Sequence, residues 1–375
     1  MMNKKILHIQ LFPLLSGVQR VSLDEFKYLN PMCEKYLIVK ERGELSNEIE
    51  MIPNTKIFYV NDLVREMNFI SDFKALFGII KILIKVKPDV VHTHSSKPGV
   101  LGRIAARLTG VKTVVHTVHG FAFPGAKSKL SYYIFWFLEK ISSYFMDKLI
   151  VLTNSDLYVA KDNLGIPLSK IELVPNAIDI SLYRNETNNN VDFLDKDYFN
   201  IVMIGRLWEQ KNPNIVLEAL RVLKSSNRID RVKFYFIGDG PLRKKLEENI
   251  VEYDLLDHVH LLGWRNDVNL ILPNFDLFVL PSLWEGMPLS ILEAFASEVP
   301  VLTSDIDGNK SLLEGEHGLM FESGSVDDLV AKLEFCISHD LSSYVNKAKG
   351  KVHHEHNWFS RVERLSSIYK IPKVS

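Results

Sequence analysis

Short β-branched apolar runs alternate with longer segments of helical period along almost the whole chain, and that alternation restricts the fold more than any other feature. In the front half KILHIQLF, KYLIVK, KIFYV, DVVHTH, KTVVHTVHG and KLIVLTN read as strands. Between them VQRVSLDEFKYL, FKALFGIIKILIKVK, SKPGVLGRIAARLTG, SKLSYYIFWFLEKISSYFMD and SDLYVAKDNLG read as helices, the second stopped by Pro88 and the third by Gly110. A second series starts at FNIVMIGRL and continues through VKFYFIGDG, HVHLLG, LFVLPS and VPVLTS, again with helical segments between. Strands joined through helices lie parallel, with both sheet faces covered. The polar stretch 185–198, NETNNNVDFLDKDY, separates the two series as a linker or long surface loop. The expectation is an α/β chain of two successive Rossmann-like domains with a cleft between them, and 375 residues at 46% hydrophobic content suit two cores. Ligands of such sheets bind beyond the carboxyl ends of the strands.

Cys33 and Cys336 lie too far apart in sequence for a metal spacing or a disulfide framework, which fits a reducing compartment. Lys4 and Lys5 resemble the basic start of an export signal. However, His8 and Gln10 interrupt the apolar run and no cleavage site follows, so Ile6 to Leu11 reads as a buried first strand. No window approaches the roughly 18 uncharged apolar residues of a transmembrane helix. Residues 1–180 hold 23 Lys and Arg against 17 Asp and Glu, a difference of +6; residues 181–375 hold 22 against 29, a difference of −7. A basic front half suits an anionic surface, or is an ordinary solvated face. Without a dense Lys/Arg stripe or a base-reading motif, nucleic acid is not an expected partner.

The chemically suggestive loops follow predicted strands. Gly205-Arg206 ends one strand and Lys211 follows in GRLWEQKNP. A planar guanidinium fork and a mobile ammonium can together neutralise two phosphates, though an ordinary surface pair explains them too. Gly238-Asp239-Gly240-Pro241 permits a tight turn and close ligand approach, or is simply a strand-to-helix turn. It lacks the full glycine pattern of a nicotinamide-dinucleotide site. In LLGWRNDV the main chain near Leu262 and Gly263 can meet a base edge, and Asp267 is placed to cap the next helix. The richest segment is PSLWEGMPLSILEAFA, where Glu285 and Glu293 stand eight residues apart. Gly286-Met287-Pro288-Leu289 turns into a helix starting near Leu289, whose amides and positive end suit a diphosphate. Glu293, a turn inside, can accept from ribose hydroxyls, while Glu285 can approach a sugar. Two carboxylates also suit glycoside hydrolysis, but the amide-rich turn favours phosphate binding. His116 and His119 end one strand, and His92 and His94 share a face of another. Four histidines raise the question of zinc. With no HExxH motif or cysteine cluster, no metal and no cofactor are expected. His119 beside Gly120 is the best single active-site histidine, with a satisfied structural histidine as the alternative. Ser16-Gly17 lets a phosphate or acceptor approach the first strand's end, or merely caps a helix.

In this order the segments resemble the retaining glycosyltransferases of the GT-B fold, family 4 (glycosyl transferases group 1), over nearly the whole chain. The Glu285-x7-Glu293 arrangement is the most specific element, supported by Arg206 and Lys211, the GDGP turn and the LLG segment. The resemblance implies two Rossmann-like βα domains facing each other across a cleft: 1–185 on the acceptor side, a linker at 186–198, and 199–355 on the donor side. It implies that residues 356–375 return to the first domain, with Trp358, Val362, Leu365 and Ile368 as a packing side. It assigns Glu293 to the donor ribose, Glu285 to sugar hydroxyls, and amides around Gly286, Met287 and Leu289 to phosphate. His119 contacts the transferred sugar, and Arg206 and Lys211 stabilise the leaving diphosphate. The acceptor attacks on the face from which the diphosphate leaves, so neither a separate protein base nor a metal is needed. Where many relatives carry two glycines in the first loop, this chain has Ser16-Gly17. VHTHSSKPGVLGRIAARLTG and VVHTVHGF resemble enzymes that build bacterial surface polysaccharide and O-antigen. That likeness implies a UDP-sugar donor of hexose or N-acetylhexosamine and a polyprenyl-diphosphate-linked saccharide acceptor. A sugar-nucleotide epimerase and a non-catalytic nucleotide-sugar binder are the alternatives. The expected location is cytoplasmic, on the inner face of the plasma membrane. Tyr132, Tyr133, Phe135, Trp136 and Phe137, between Lys127/Lys129 and Lys140, would meet anionic headgroups, unless they pack on the sheet.

Overall fold

The computed structural model describes residues 4–65, 68–123, 125, 128–183 and 191–371. They form two units, one of residues 1–176 with 358–375 and one of 177–357. The division falls at Asn176/Ala177, upstream of the 186–198 segment expected as the linker, and the C-terminal segment belongs to the first unit.

The first unit is a seven-stranded parallel sheet of β1 (Lys5–Ile9), β2 (Glu34–Val39), β3 (Thr55–Tyr59), β4 (Val90–His94), β5 (Thr113–Thr117), β6 (Lys148–Val151) and β7 (Ile171–Leu173), in the order β3-β2-β1-β4-β5-β6-β7. Its helices are α1 (Gly17–Tyr28), α2 (Glu44–Glu50), α3 (Phe69–Val86), α4 (Ser96–Leu108), α5 (Lys129–Ser142) and α6 (Asn154–Tyr158). Strand residues alternate between faces. Leu7, Ile9, Val91, Val114 and Leu149 pack under α3, α4 and α5. Ile6, Val90, Val115 and Ile150 pack instead against the C-terminal Leu365, Ile368 and Tyr369. The helix ends have local causes. Asn68 accepts from the amides of Ile70 and Ser71 to start α3, and Ser128 and Ser131 form a capping box on α5. Lys87 turns left-handed ahead of Pro88 to end α3. The short α2 has no counterpart in the sequence reading: seven residues carry too few turns for a readable period.

The second unit is a six-stranded parallel sheet of β8 (Phe199–Ile204), β9 (Val232–Ile237), β10 (Val259–Gly263), β11 (Leu277–Leu280), β12 (Val301–Ser304) and β13 (Leu319–Phe321), in the order β10-β9-β8-β11-β12-β13. Helices α7 (Asn214–Ser225), α8 (Arg243–Glu252), α9 (Val268–Ile271), α10 (Leu289–Ala296), α11 (Asp307–Leu313), α12 (Val326–Ser338) and α13 (Ser342–Glu355) accompany it. α14 (Trp358–Ile368) then rejoins the first unit with Trp358, Leu365 and Ile368 buried and Val362 partly so. Each unit is thus a Rossmann-like βα domain. In each sheet the strand order reverses beside the first strand, at β1/β4 and at β8/β11, and open parallel sheets take ligands at that point. Among the described residues no helix is long and apolar enough to cross a membrane.

Candidate active site

In the second unit the loops after β8, β9, β10 and β11 are laced together. The Gly205 amide donates to Ile237, Leu207 to Asp239, and Gly238 to Gly263. The glycines of GDGP serve this close approach: a Cβ on Gly238 would stand 2.0 Å from the Gly205 oxygen, and one on Gly240 2.4 Å from the Leu207 oxygen. A register shift between Leu261 and Gly263 takes Leu262 out of step with β9 at the sheet edge. Asp267, expected as a helix cap, makes no side-chain cap bond; both its oxygens instead engage Arg265, because a fork two residues away outcompetes one amide.

Lys211 reaches across to the loop before α10. Its Nζ lies 2.5 Å from Glu285 Oε1, which also accepts from Ser282 Oγ at 2.7 Å. Gln210 donates to the Trp284 carbonyl at 2.8 Å and to the other Glu285 oxygen at 3.4 Å. The nearly buried Glu285 carboxylate is therefore fixed by three side chains while Arg206, exposed, stacks over Trp208 at 4.3 Å. Gly286, Met287 and Pro288 lead into α10 at Leu289, and no side-chain hydrogen bond caps the start of α10 at Pro288. One turn in, Glu293 accepts from Tyr183 Oη at 3.0 Å. Beneath the turn, a Cβ on Gly308 would meet the Glu285 and Gly286 oxygens at 2.4 and 2.6 Å. Asn309 holds Ser304, which holds the Ser282 carbonyl. Sequence reasoning missed Tyr183, Gln210, Ser282 and Gly308. Only the glycine in DGN carried a local signal.

In the first unit Ser16 precedes α1, bonded to Gln19, and Gly17 is exposed beside it. His119, partly exposed after β5, pairs its Nε2 with His94 Nδ1 at 3.2 Å. His116 instead points into the fold against Thr93, a structural histidine. Behind His94 lies a buried polar centre on the α1 side of the sheet. Glu25 of α1 takes Arg361 of α14 on one oxygen at 2.7 Å. Its other oxygen faces His92 Nδ1 at 3.5 Å, His8 Nε2 at 3.7 Å and His94 Nε2 at 4.0 Å. Ser22 and Thr117 occupy the other ring nitrogens of His8 and His92, while Tyr369 Oη shares with Glu25 the nitrogens that face it, His92 Nδ1 and His8 Nε2. Burial pushes His8 down to about 3 and holds His94 and His116 well below the usual histidine range. Burial raises Glu25, but the Arg361 charge and the His92 and His8 rings more than offset it, leaving the carboxyl ionised. The ligand-type atoms of His8, Glu25, His92 and His94 lie within 4.8 Å of one another. Arg361 already balances the Glu25 charge, and a further cation there would meet the guanidinium.

Two family models cover the chain: glycosyl transferases group 1 over residues 185–351 and glycosyltransferase family 4 over residues 15–182. Over 374 residues the chain is 40% identical to an Escherichia coli UDP-Gal:alpha-D-GlcNAc-diphosphoundecaprenol alpha-1,3-galactosyltransferase, spanning 97% of this chain and 96% of that one. The chain belongs to the group 1, family 4 glycosyltransferases. As such it is an enzyme that transfers a glycosyl group from a nucleotide-sugar donor. A Staphylococcus aureus capsular polysaccharide biosynthesis glycosyltransferase, CapM, is 25% identical over 98% of this chain and 97% of its own. Among solved structures, Anabaena HepE in complex with UDP and glucose superposes with a TM-score of 0.83 at 18% identity, covering 98% of this chain and 100% of that one, so the transferase shares its fold.

Proposed function

We propose that the transferase is a retaining enzyme that moves a hexose or N-acetylhexosamine from a UDP-sugar to a polyprenyl-diphosphate-linked saccharide during surface-polysaccharide or O-antigen assembly. The observation that carries the donor half is the fixed Glu285 carboxylate, held by Lys211 and Gln210 immediately before the uncapped start of α10. In this reading Arg206, Lys211 and the amides of Gly286, Met287 and Leu289 receive the diphosphate. Glu293 and its partner Tyr183 bind the ribose, and Leu262 and Gly263 meet the base. Gly205, Gly238 and Gly240 bring the loops close enough for those contacts. Glu285 holds sugar hydroxyls. In the first unit His119 contacts the transferred sugar, and Ser16 and Gly17 line the approach of phosphate or acceptor. The acceptor hydroxyl forms its bond to the anomeric carbon as the bond to the diphosphate breaks, and its proton passes to a donor phosphate oxygen. The E. coli relative's name makes UDP-galactose the first donor to try and an undecaprenyl-diphosphate-linked N-acetylglucosamine the first acceptor. The basic first half and the lipid-linked acceptor together support a cytoplasmic enzyme that works at the anionic inner membrane surface.

A screen of nucleotide sugars against lipid-linked and soluble saccharides, read by mass and anomeric configuration, tests this. An acceptor-dependent product with the donor's α-configuration is expected. Inverted product removes the retaining mechanism, isomerised free donor points to an epimerase, and tight donor binding without turnover points to a binding protein.

A further inference from the structure

Helices α3 and α5 both pack against α4, which places all three in one layer over the same face of the first sheet. A surface helix of a globular domain turns polar residues outward. These two do not. On α3, Ala75, Ile79, Leu83 and Val86 face the core, yet Phe69, Phe73, Phe77 and Ile84 stand on the opposite side, Phe69 94% exposed. On α5, Tyr132, Phe135 and Trp136 pack inward, as the packing alternative anticipates, while Leu130, Tyr133 and Phe137 stand outward, Leu130 72% exposed. The outer stripes are bordered by exposed Lys74, Lys81 and Lys85 on α3 and Lys129 on α5; Lys127 lies outside the described residues. Neither helix offers a free carboxylate. Asp72 of α3 is 2.5 Å from Lys97, and Glu139 of α5 is buried 2.9 Å from Arg103.

We infer that the α3–α5 face is a lipid-inserting surface, whose outward Phe, Leu and Tyr side chains enter the acyl boundary of an anionic bilayer while the bordering lysines meet headgroups. Two apolar stripes with cations and no exposed carboxylate have the chemistry of an interfacial helix pair. A second copy is disfavoured as the occupant, because a two-fold contact would set the bordering lysines of one copy against those of the other. The inference rests on the reading that the enzyme works at a membrane. It places the main contact on α3 as well as on the aromatic segment around Lys129, and makes insertion rather than charge the larger contribution.

Sedimentation with vesicles of phosphatidylcholine, with and without phosphatidylglycerol, tests it on the full chain. Wild-type protein is expected to pellet with the anionic vesicles and to keep a bound fraction at high salt. Phe69→Ser with Phe73→Ser is expected to weaken binding about tenfold or more, since each ring carries well over half of that in transfer free energy. Lys74→Gln with Lys81→Gln and Lys85→Gln is expected to weaken it at low salt only. Unchanged thermal unfolding of the Phe69/Phe73 variant shows that the fold is intact. The inference is overturned if wild-type protein stays in the supernatant with both vesicles, or if the Phe69/Phe73 variant binds as wild type. It is equally overturned if sedimentation velocity shows a wild-type dimer that the Phe variant dissociates. Because no acceptor enters the assay, vesicle binding without transfer to a lipid-linked acceptor leaves this surface standing and removes the acceptor reading.

Discussion

Replacing Arg361 by Met removes the guanidinium that stands 2.7 Å from Glu25 while keeping most of the buried volume. The carboxylate has no exposure, so water does not take the guanidinium's place. Breaking a buried pair from one side costs about 3–5 kcal/mol. The lost bonds to the Val174 and Pro175 carbonyls, at 3.0 and 2.6 Å, lie within that figure rather than on top of it. A two-unit chain does not unfold in one step, so a global midpoint is the wrong readout. Hydrogen exchange of peptides from β1, α1 and α14 reports the first unit alone. A cost of that size accelerates their exchange by about 10²- to 10³-fold or more, with peptides of β8 to β13 unaffected. Adding Glu25→Gln to Arg361→Met removes the stranded charge, and the double variant is expected to recover to within about 1–2 kcal/mol of wild type. A single variant that costs under about 1 kcal/mol, or a double variant no better than the single, refutes the argument that the pair is electrostatically coupled.

Lys211→Gln is expected to lower turnover about 10²- to 10³-fold, and Arg206→Gln to lower it in the same direction, if both stabilise the departing diphosphate; steady-state kinetics with saturating donor decide it. Glu293→Ala and Tyr183→Phe should weaken donor binding by calorimetry with the fold retained, and unchanged affinity in both removes the ribose assignment. Gly308→Ala forces the Glu285–Gly286 carbonyls aside by the contacts of 2.4 and 2.6 Å, so activity should fall well below wild type while the first unit's exchange is untouched. Acid should open the first unit. His8, pushed down to about 3, and His94 and His116, both held well below their ordinary value, are neutral in the fold, whereas the unfolded chain takes up their protons below about pH 6.5. Stability is therefore full above that pH and falls as pH drops from about 6.5 towards about 3, by on the order of 1.4 kcal/mol per unit and group. An exchange rate in β1 and β4 peptides that is flat from pH 7 to 5, after correction for intrinsic exchange, contradicts this.

The parallel sheets were legible because the central strands are buried on two faces and read as short, nearly continuous apolar runs, as in KLIV and LFVL. The donor loops were legible because their glycines, carboxylates and cations lie close together in sequence. What stayed hidden depends on distance along the chain. Nothing local to Arg361 or Tyr369 announces contact with Glu25 and His92, and Tyr183 meets Glu293 across 110 residues. The outward stripe of α3 was hidden for a different reason. FKALFGIIKILIKVK is apolar on both faces, and periodicity reports an apolar helix without saying which side the sheet takes.

The return of α14 also sets an order of events during synthesis. Domains generally fold as they leave the ribosome, the N-terminal one first. Here Glu25 waits for a partner made 336 residues later, whereas residues 177–357 form an uninterrupted segment that is finished before Arg361 emerges. The unit translated first is thus completed last, with a carboxylate and three imidazoles open to water until the final helix arrives. A premature stop that removes only the last few turns would leave the second unit whole and deprive the first of its counter-charge, so nascent chains ending before Trp358 should be protease-sensitive at their beginning rather than at their end.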